Sequence, residues 1–253
     1  MKTIHIILTC TLFLFLSCAA ERPKGKTEAE VLFKEAKEMI VEGRYILANE
    51  RLNQLRSQYP YSYYSTHAEL LQADILFEQE NYVESASAYT LFRDLHPTNK
   101  RMDYVNLRIA ESYYKQIPST FDRDLTPAHQ AIKYYNELLR NYPGSKLIKD
   151  ALERIKECQD LIEKKEKYIA DFYYKTDVFG AARYRYLDIL ARFPNNKVLR
   201  NHAIRRVLVT SVKLEDFKGC ANYFNQFESL IDPAYKRMLQ EIYKTCQNNI
   251  TKE

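Results

Sequence analysis

The chain has 253 residues, 46% of them hydrophobic, which is enough to bury a sizeable core, yet it contains only five glycines and no tryptophan. Such glycine poverty argues against sheets and tight hairpins and leaves helices as the expected element. The net charge of +5 comes from 28% charged residues with both signs interspersed, so no basic block marks a nucleic-acid surface.

At the N-terminus, Lys2 is followed by an apolar run from Ile6 to Leu16, broken only by Thr9, Cys10 and Thr11. The run is shorter than the roughly 18 to 20 apolar residues of a membrane-spanning helix and predicts a signal peptide over residues 1–17. The segment Leu14-Phe15-Leu16-Ser17-Cys18-Ala19 resembles a bacterial lipobox, with Phe15 standing where Leu is usual. That resemblance implies lipidation of Cys18, and Ala19 in place of an inner-membrane-retaining Asp implies sorting to the outer membrane. Residues 18–26 are then a lipidated linker.

From Thr27 onward a helix-sized apolar pattern recurs. Each second helix ends at Tyr59-Pro60, His96-Pro97, Tyr142-Pro143 or Phe193-Pro194. Counting back from each proline in a fixed register gives a small residue at Ala48, Ser85, Ala131 and Ala182, then a large one at Leu52, Tyr89, Tyr135 and Tyr186. The first helix of each pair carries its own small and large residues, as Ala36/Met39, Ala73/Leu76, Ala110/Tyr113 and Ala170/Tyr173. Alanine lets two helix axes approach while its large neighbour fills the adjoining groove. Tyr45, Tyr82 and Phe179 are placed to close the turns inside the pairs. This pattern resembles the tetratricopeptide repeat and predicts an all-α solenoid of about five helix pairs with a C-terminal capping helix. The fifth pair spans Val207 to Ile231 with Ala221 as its small residue, and the cap runs from Pro233 to about Gln247.

Helix starts are expected at the capping boxes Thr27/Glu30 and Thr66/Glu69, and at Thr126-Pro127 and Asp232-Pro233. Two insertions break the period. A polar loop, Ile117 to Leu125, separates the helices of the third pair, and Ser145 to about Lys175 reads as one long or kinked helix. The chain thus divides into repeats 1–3 over 27–144, and the long helix, repeats 4–5 and cap over 145–253.

No constellation for catalysis stands out. There is no glycine-rich phosphate loop, and the histidines at 5, 67, 96, 129 and 202 never fall in a ligand spacing, so neither metal nor cofactor is expected. Asp122, Arg123 and Asp124 are the densest polar cluster. Lying beside the start of the Thr126 helix, they are expected to brace the loop by salt bridges. Cleavage before Cys18 leaves Cys158, Cys220 and Cys246. Cys220 and Cys246 could pair, or all three could be separate buried thiols. Tyr61, Tyr63 and Tyr64 follow the first terminator in a polar context, which suits either recognition or local loop packing.

Beyond the repeat itself, Gln58-Tyr59-Pro60-Tyr61 with Tyr64-Ser65, Leu95-His96-Pro97-Thr98-Asn99 with Met102-Asp103-Tyr104-Val105, and Phe121-Asp122-Arg123-Asp124 resemble the BamD family of outer-membrane β-barrel assembly lipoproteins. The likeness runs over roughly Glu28 to Asn196; the last fifty residues share only their helicity. It implies a non-catalytic, lipid-anchored periplasmic subunit whose partners are unfolded outer-membrane β-barrel proteins and a periplasmic transport domain of the barrel-forming subunit. The resemblance places substrate binding at Tyr59, Tyr61 and Tyr64 in the 27–144 half, and partner binding at Arg185 in the 145–253 half. The alternative is a repeat scaffold of the Tol envelope-constriction system, but that class usually carries an N-terminal coiled coil for which nothing before Thr27 is long enough.

Overall fold

A computed structural model describes residues 22–251. Cys18 and the expected signal peptide lie outside the described residues. Every extended regular element among them is an α-helix: α1 Glu28–Val41, α2 Tyr45–Gln58, α3 Tyr63–Glu78, α4 Tyr82–Leu95, α5 Met102–Lys115, α6 Thr126–Asn141, α7 Ile148–Lys175, α8 Phe179–Arg192, α9 Lys197–Lys213, α10 Phe217–Phe227 and α11 Pro233–Ile250. They form two compact units that divide between His96 and Pro97, and not at 144/145 where the sequence pattern places the division.

In the first unit α1 packs on α2, α2 on α3, and α3 on α4. The register residues meet in one core, where Ala36, Ala48, Leu52 and Ala68 are wholly buried with Leu32, Leu55 and Ile75. Thr27 caps α1 by accepting from the Glu30 amide at 3.2 Å, while the Glu30 carboxylate accepts from the Lys26 amide at 2.9 Å. The Thr66 start is not realised. Ser62 accepts from the Tyr64 amide at 3.2 Å, so α3 begins a turn earlier and leaves Thr66 inside the helix.

The second unit repeats the scheme with α5 on α6, α7 on α8 and α9 on α10. Ala110, Ala131, Tyr135, Ala170, Ala182 and Tyr186 are all at zero exposure, as the small-and-large register requires. The long helix is continuous over α7 and packs on α6. At the C-terminal end Cys220, Phe224, Phe227, Leu239 and Cys246 share a core, and Cys220 and Cys246 form a disulfide joining α10 to α11. Cys158 is a free, buried thiol, pushed up to about 11 by desolvation, as suits a packing residue rather than a nucleophile. Asp232 accepts from the Ala234 amide at 3.0 Å and starts α11, which extends to Ile250.

The turns inside the pairs fix the register. Gly43, Glu80, Asp177 and Glu215 adopt the left-handed conformation, with φ of 74°, 62°, 59° and 57°. Each sits in a Schellman turn; in the first, the Arg44 amide reaches back to the Met39 carbonyl at 2.7 Å and the Gly43 amide to Ile40 at 3.0 Å. The small residue stands five positions after each left-handed residue, at Ala48, Ser85, Ala182 and, in the fifth pair, Cys220. Ala221, expected in that role, is one place out of register and only half-buried, whereas Cys220 is fully buried. The third pair has no such turn because the 117–125 insertion replaces it.

Candidate peptide- and partner-binding surfaces

The first candidate surface lies at the α2–α3 turn. Tyr59 closes α2 through its amide to the Leu55 carbonyl at 2.8 Å, and Pro60 prevents the helix from continuing. Tyr61 is wholly exposed, Tyr59 partly so, and Tyr64 is half-buried against the first core. The Tyr64 ring packs on Phe33 at 5.5 Å, and Tyr63, itself 71% exposed, bridges Tyr64 at 5.5 Å and His67 at 4.1 Å. The predicted tyrosines therefore separate into free rings at the turn and a packed one. Phe33 and His67, which sequence reading passed over, complete the array. Both lie on the first helices of neighbouring repeats, three places upstream of Ala36 in one case and six upstream of Ala73 in the other. Below this array Glu69 ties three elements together, pairing with Arg56 at 2.8 Å and with His96 at 2.6 Å.

In the second unit α8 carries three arginines with different fates. Arg183 donates to Asp216 at 2.6 Å and to Ser211 at 3.2 Å, and Arg192 bridges Glu166 at 3.0 Å and Asp188 at 3.1 Å. Arg185 is half-buried and has no such partner among the described residues, while its neighbour Tyr184 is 70% exposed. An unpaired guanidinium beside an exposed aromatic suits a protein interface.

Asp122, Arg123 and Asp124 do not form the expected salt bridge across the loop. Asp124 instead accepts from the amide and hydroxyl of Thr126 at 3.1 and 2.8 Å, and these bonds hold its carboxyl below the usual range. Asp122 is lowered in the same way, chiefly by a hydrogen bond from Thr120. What ties the loop to α7 is the Lys165 ammonium, which donates to the Arg123 carbonyl at 2.5 Å, together with Phe121, whose ring meets Tyr168 at 5.6 Å. Each carboxylate turns to a threonine two residues away, whose amide or hydroxyl is within reach of a local side-chain turn.

Asp171 on α7 is a shared acceptor in the second unit. It accepts from Lys167 at 2.5 Å, from the Tyr186 hydroxyl at 2.6 Å and from His202 at 2.9 Å. Burial by itself would raise this carboxyl, but the bonds from His202, Lys167 and Tyr186 outweigh it and hold the group well below the usual carboxylate range. Tyr186 moves the other way, raised by burial and by its bond to Asp171.

The family described as outer membrane lipoprotein, YfiO, matches residues 25–211. This chain belongs to that family. Among its relatives, the outer membrane protein assembly factor BamD of Neisseria gonorrhoeae is 26% identical over 209 residues, covering 76% of this chain and 78% of the relative. The protein of the same name in Vibrio cholerae is 25% identical over 178 residues, covering 67% and 74%. A solved structure of the TPR2AB-domain:pHSP90 complex of yeast Sti1 overlaps 88% of this chain and all of its own, at 11% identity and a TM-score of 0.43. The family match takes in every predicted recognition residue, the 117–125 loop and Arg185, and ends at Ser211, before α10 and α11.

Proposed function

We propose that this chain is a lipid-anchored outer-membrane protein assembly factor that works by recognition and not by catalysis. The observation that carries the proposal is the family match over 25–211 together with relatives that bear that name. In this reading the lipid on Cys18 holds the chain to the periplasmic face of the outer membrane. No described helix is long and apolar enough to cross a membrane. Tyr59, Tyr61 and Tyr64 receive the aromatic, extended end of an unfolded barrel protein, with Tyr61 free to stack and Tyr64 giving the rigid base on Phe33. Arg185 docks a periplasmic domain of the barrel-forming subunit, and Asp122, Arg123 and Asp124 brace the loop beside α7.

Binding to the substrate is expected to be weak and reversible, since ordering an unfolded segment offsets much of the contact energy. The test is a membrane pull-down through this chain, with and without Arg185→Glu, read by mass spectrometry. Recovery of a barrel-forming subunit that the substitution abolishes is the expected result. Recovery of Tol components, or of no barrel subunit from the unaltered chain, would overturn the assignment.

A further inference from the structure

Two cavities in the second unit meet on α7. The first, about 410 Å³, lies between α7, the start of α9 and the start of α11, and its apolar walls include Val198, Leu199, Tyr235 and Met238. The second, about 390 Å³, lies between α7 and the 117–125 loop and is walled by Phe121, Tyr168 and Phe172. Lys164 and Lys167 line both, so the two form one groove that passes over the long helix.

The charges along this groove are unevenly satisfied. Lys167 is engaged by Asp171 at 2.5 Å, and Asp160 is neutralised by Lys156 at 3.0 Å. Glu163 accepts from Asn196 at 2.6 Å and, alone among the acids lining the groove, has no cation among the described residues. Against it stand Arg205 in the first cavity, Lys164 at the junction and Lys175 in the second, all exposed and none with an ion pair or hydrogen bond among the described residues. The groove therefore keeps a surplus of positive charge between two apolar chambers, whose large side chains Val198, Tyr168 and Phe172 are 73%, 52% and 53% exposed.

We infer that this groove binds an internal, acidic segment of a partner protein in extended form, with apolar side chains in the two chambers and carboxylates against Arg205, Lys164 and Lys175. The charge pattern selects an acidic ligand. The continuity across Lys164 selects a segment that runs through, because a chain end would fill one chamber and leave the other empty. Arg185 does not line the groove, so this site is separate from the docking proposed above. The wall supplied by Tyr235 and Met238 lies outside the residues of the family match.

The probe is a fluorescent peptide of alternating glutamate and phenylalanine, acetylated and amidated at its ends, titrated into the full chain and followed by anisotropy. The expected result is saturable binding that weakens about tenfold in Arg205→Glu and in Lys164→Glu, that weakens with added salt, and that is unchanged in Lys149→Glu on the same helix. Circular dichroism confirms that each variant is folded, and Arg205→Gln gives a milder version of the same loss should the reversal unfold the chain. Absence of binding, equal affinity in all variants, or binding only by a version with a free C-terminal carboxylate would overturn the inference. So would concentration-dependent dimers of the unliganded chain that the same substitutions dissolve, since the groove would then be occupied by a second copy.

Discussion

The third and fourth repeats each carry an acid and a tyrosine in the same register, Glu111 with Tyr135 and Asp171 with Tyr186, yet only the fourth joins them. In the fourth, Ala170 is followed by Asp171, which accepts the Tyr186 hydroxyl at 2.6 Å. The second repeat does likewise, with Asp74 following Ala73 and accepting from Tyr89 at 2.5 Å. In the third, Ala110 is followed by Glu111, but that acid pairs with Arg108 at 3.1 Å and the buried Tyr135 hydroxyl has no hydrogen-bond partner among the described residues. The repeats that make the bond have a left-handed turn between their helices; the repeat that misses it has the 117–125 insertion instead. A turn of fixed geometry thus does more than connect helices: it sets where a hydroxyl on one meets a carboxylate on the other. The first repeat avoids the problem, with Lys37 and Leu52 at these two places.

The largest effect that separates the two repeats is expected at the acid. Asp171→Ala strands three donors and should lower stability by about 2–4 kcal/mol in urea denaturation, whereas Glu111→Ala removes one partly exposed ion pair and should cost about 0.5 kcal/mol. Equal losses would show that the Asp171 bonds add nothing specific to the fourth repeat.

The same carboxyl gives a pH signature. Its folded value is lowered, so the stability it contributes is present above the unfolded carboxylate value, about 3.9, and is lost as pH falls through and below that value. Asp171→Asn should therefore flatten the acid limb of the stability profile below about pH 4, and leave its shape near neutrality unaltered. A variant profile parallel to the original throughout would contradict the assignment.

At the tyrosines the contrast should be smaller and of opposite sign. Tyr186→Phe is expected to cost about 1 kcal/mol, while Tyr135→Phe removes an unsatisfied buried hydroxyl and should be neutral or stabilising by up to about 1 kcal/mol. A loss at Tyr135 matching that at Tyr186 would mean that its hydroxyl is satisfied in solution. Smallest of all is the turn itself. Asp177→Gly relieves a side chain held at positive φ and should stabilise the fourth repeat by about 0.5 kcal/mol after the added freedom of the unfolded chain is counted.

Much of the fold was legible because close helix packing requires small residues at fixed intervals, and those intervals are written in one dimension. Ala36, Ala73, Ala110 and Ala170 are wholly buried, as their spacing implied. The left-handed turns were not legible, because three of the four are made by acids, Glu80, Asp177 and Glu215, where glycine would have been the signal. Without them the fifth repeat reads one residue late, at Ala221 instead of Cys220. The pattern points to Thr66 as the cap of α3 for a similar reason: several hydroxyl residues precede the apolar run, and only the backbone geometry selects Ser62.

The candidate surfaces were less legible than the fold. Tyr59, Tyr61 and Tyr64 are neighbours in sequence, but their different exposure, and the addition of Phe33 and His67, depend on how α1 and α3 lie together. Arg183, Arg185 and Arg192 look alike along α8, and only the positions of Asp216 and Glu166 leave Arg185 unpaired. The amino-acid sequence by itself determined the helices, their pairing and the residues buried between them, because apolar periodicity and side-chain volume are local properties. Which charges remain free, which hydroxyls find an acceptor and where a groove opens across α7 were decided by tertiary structure, because each depends on distances between residues that the chain brings together from far apart.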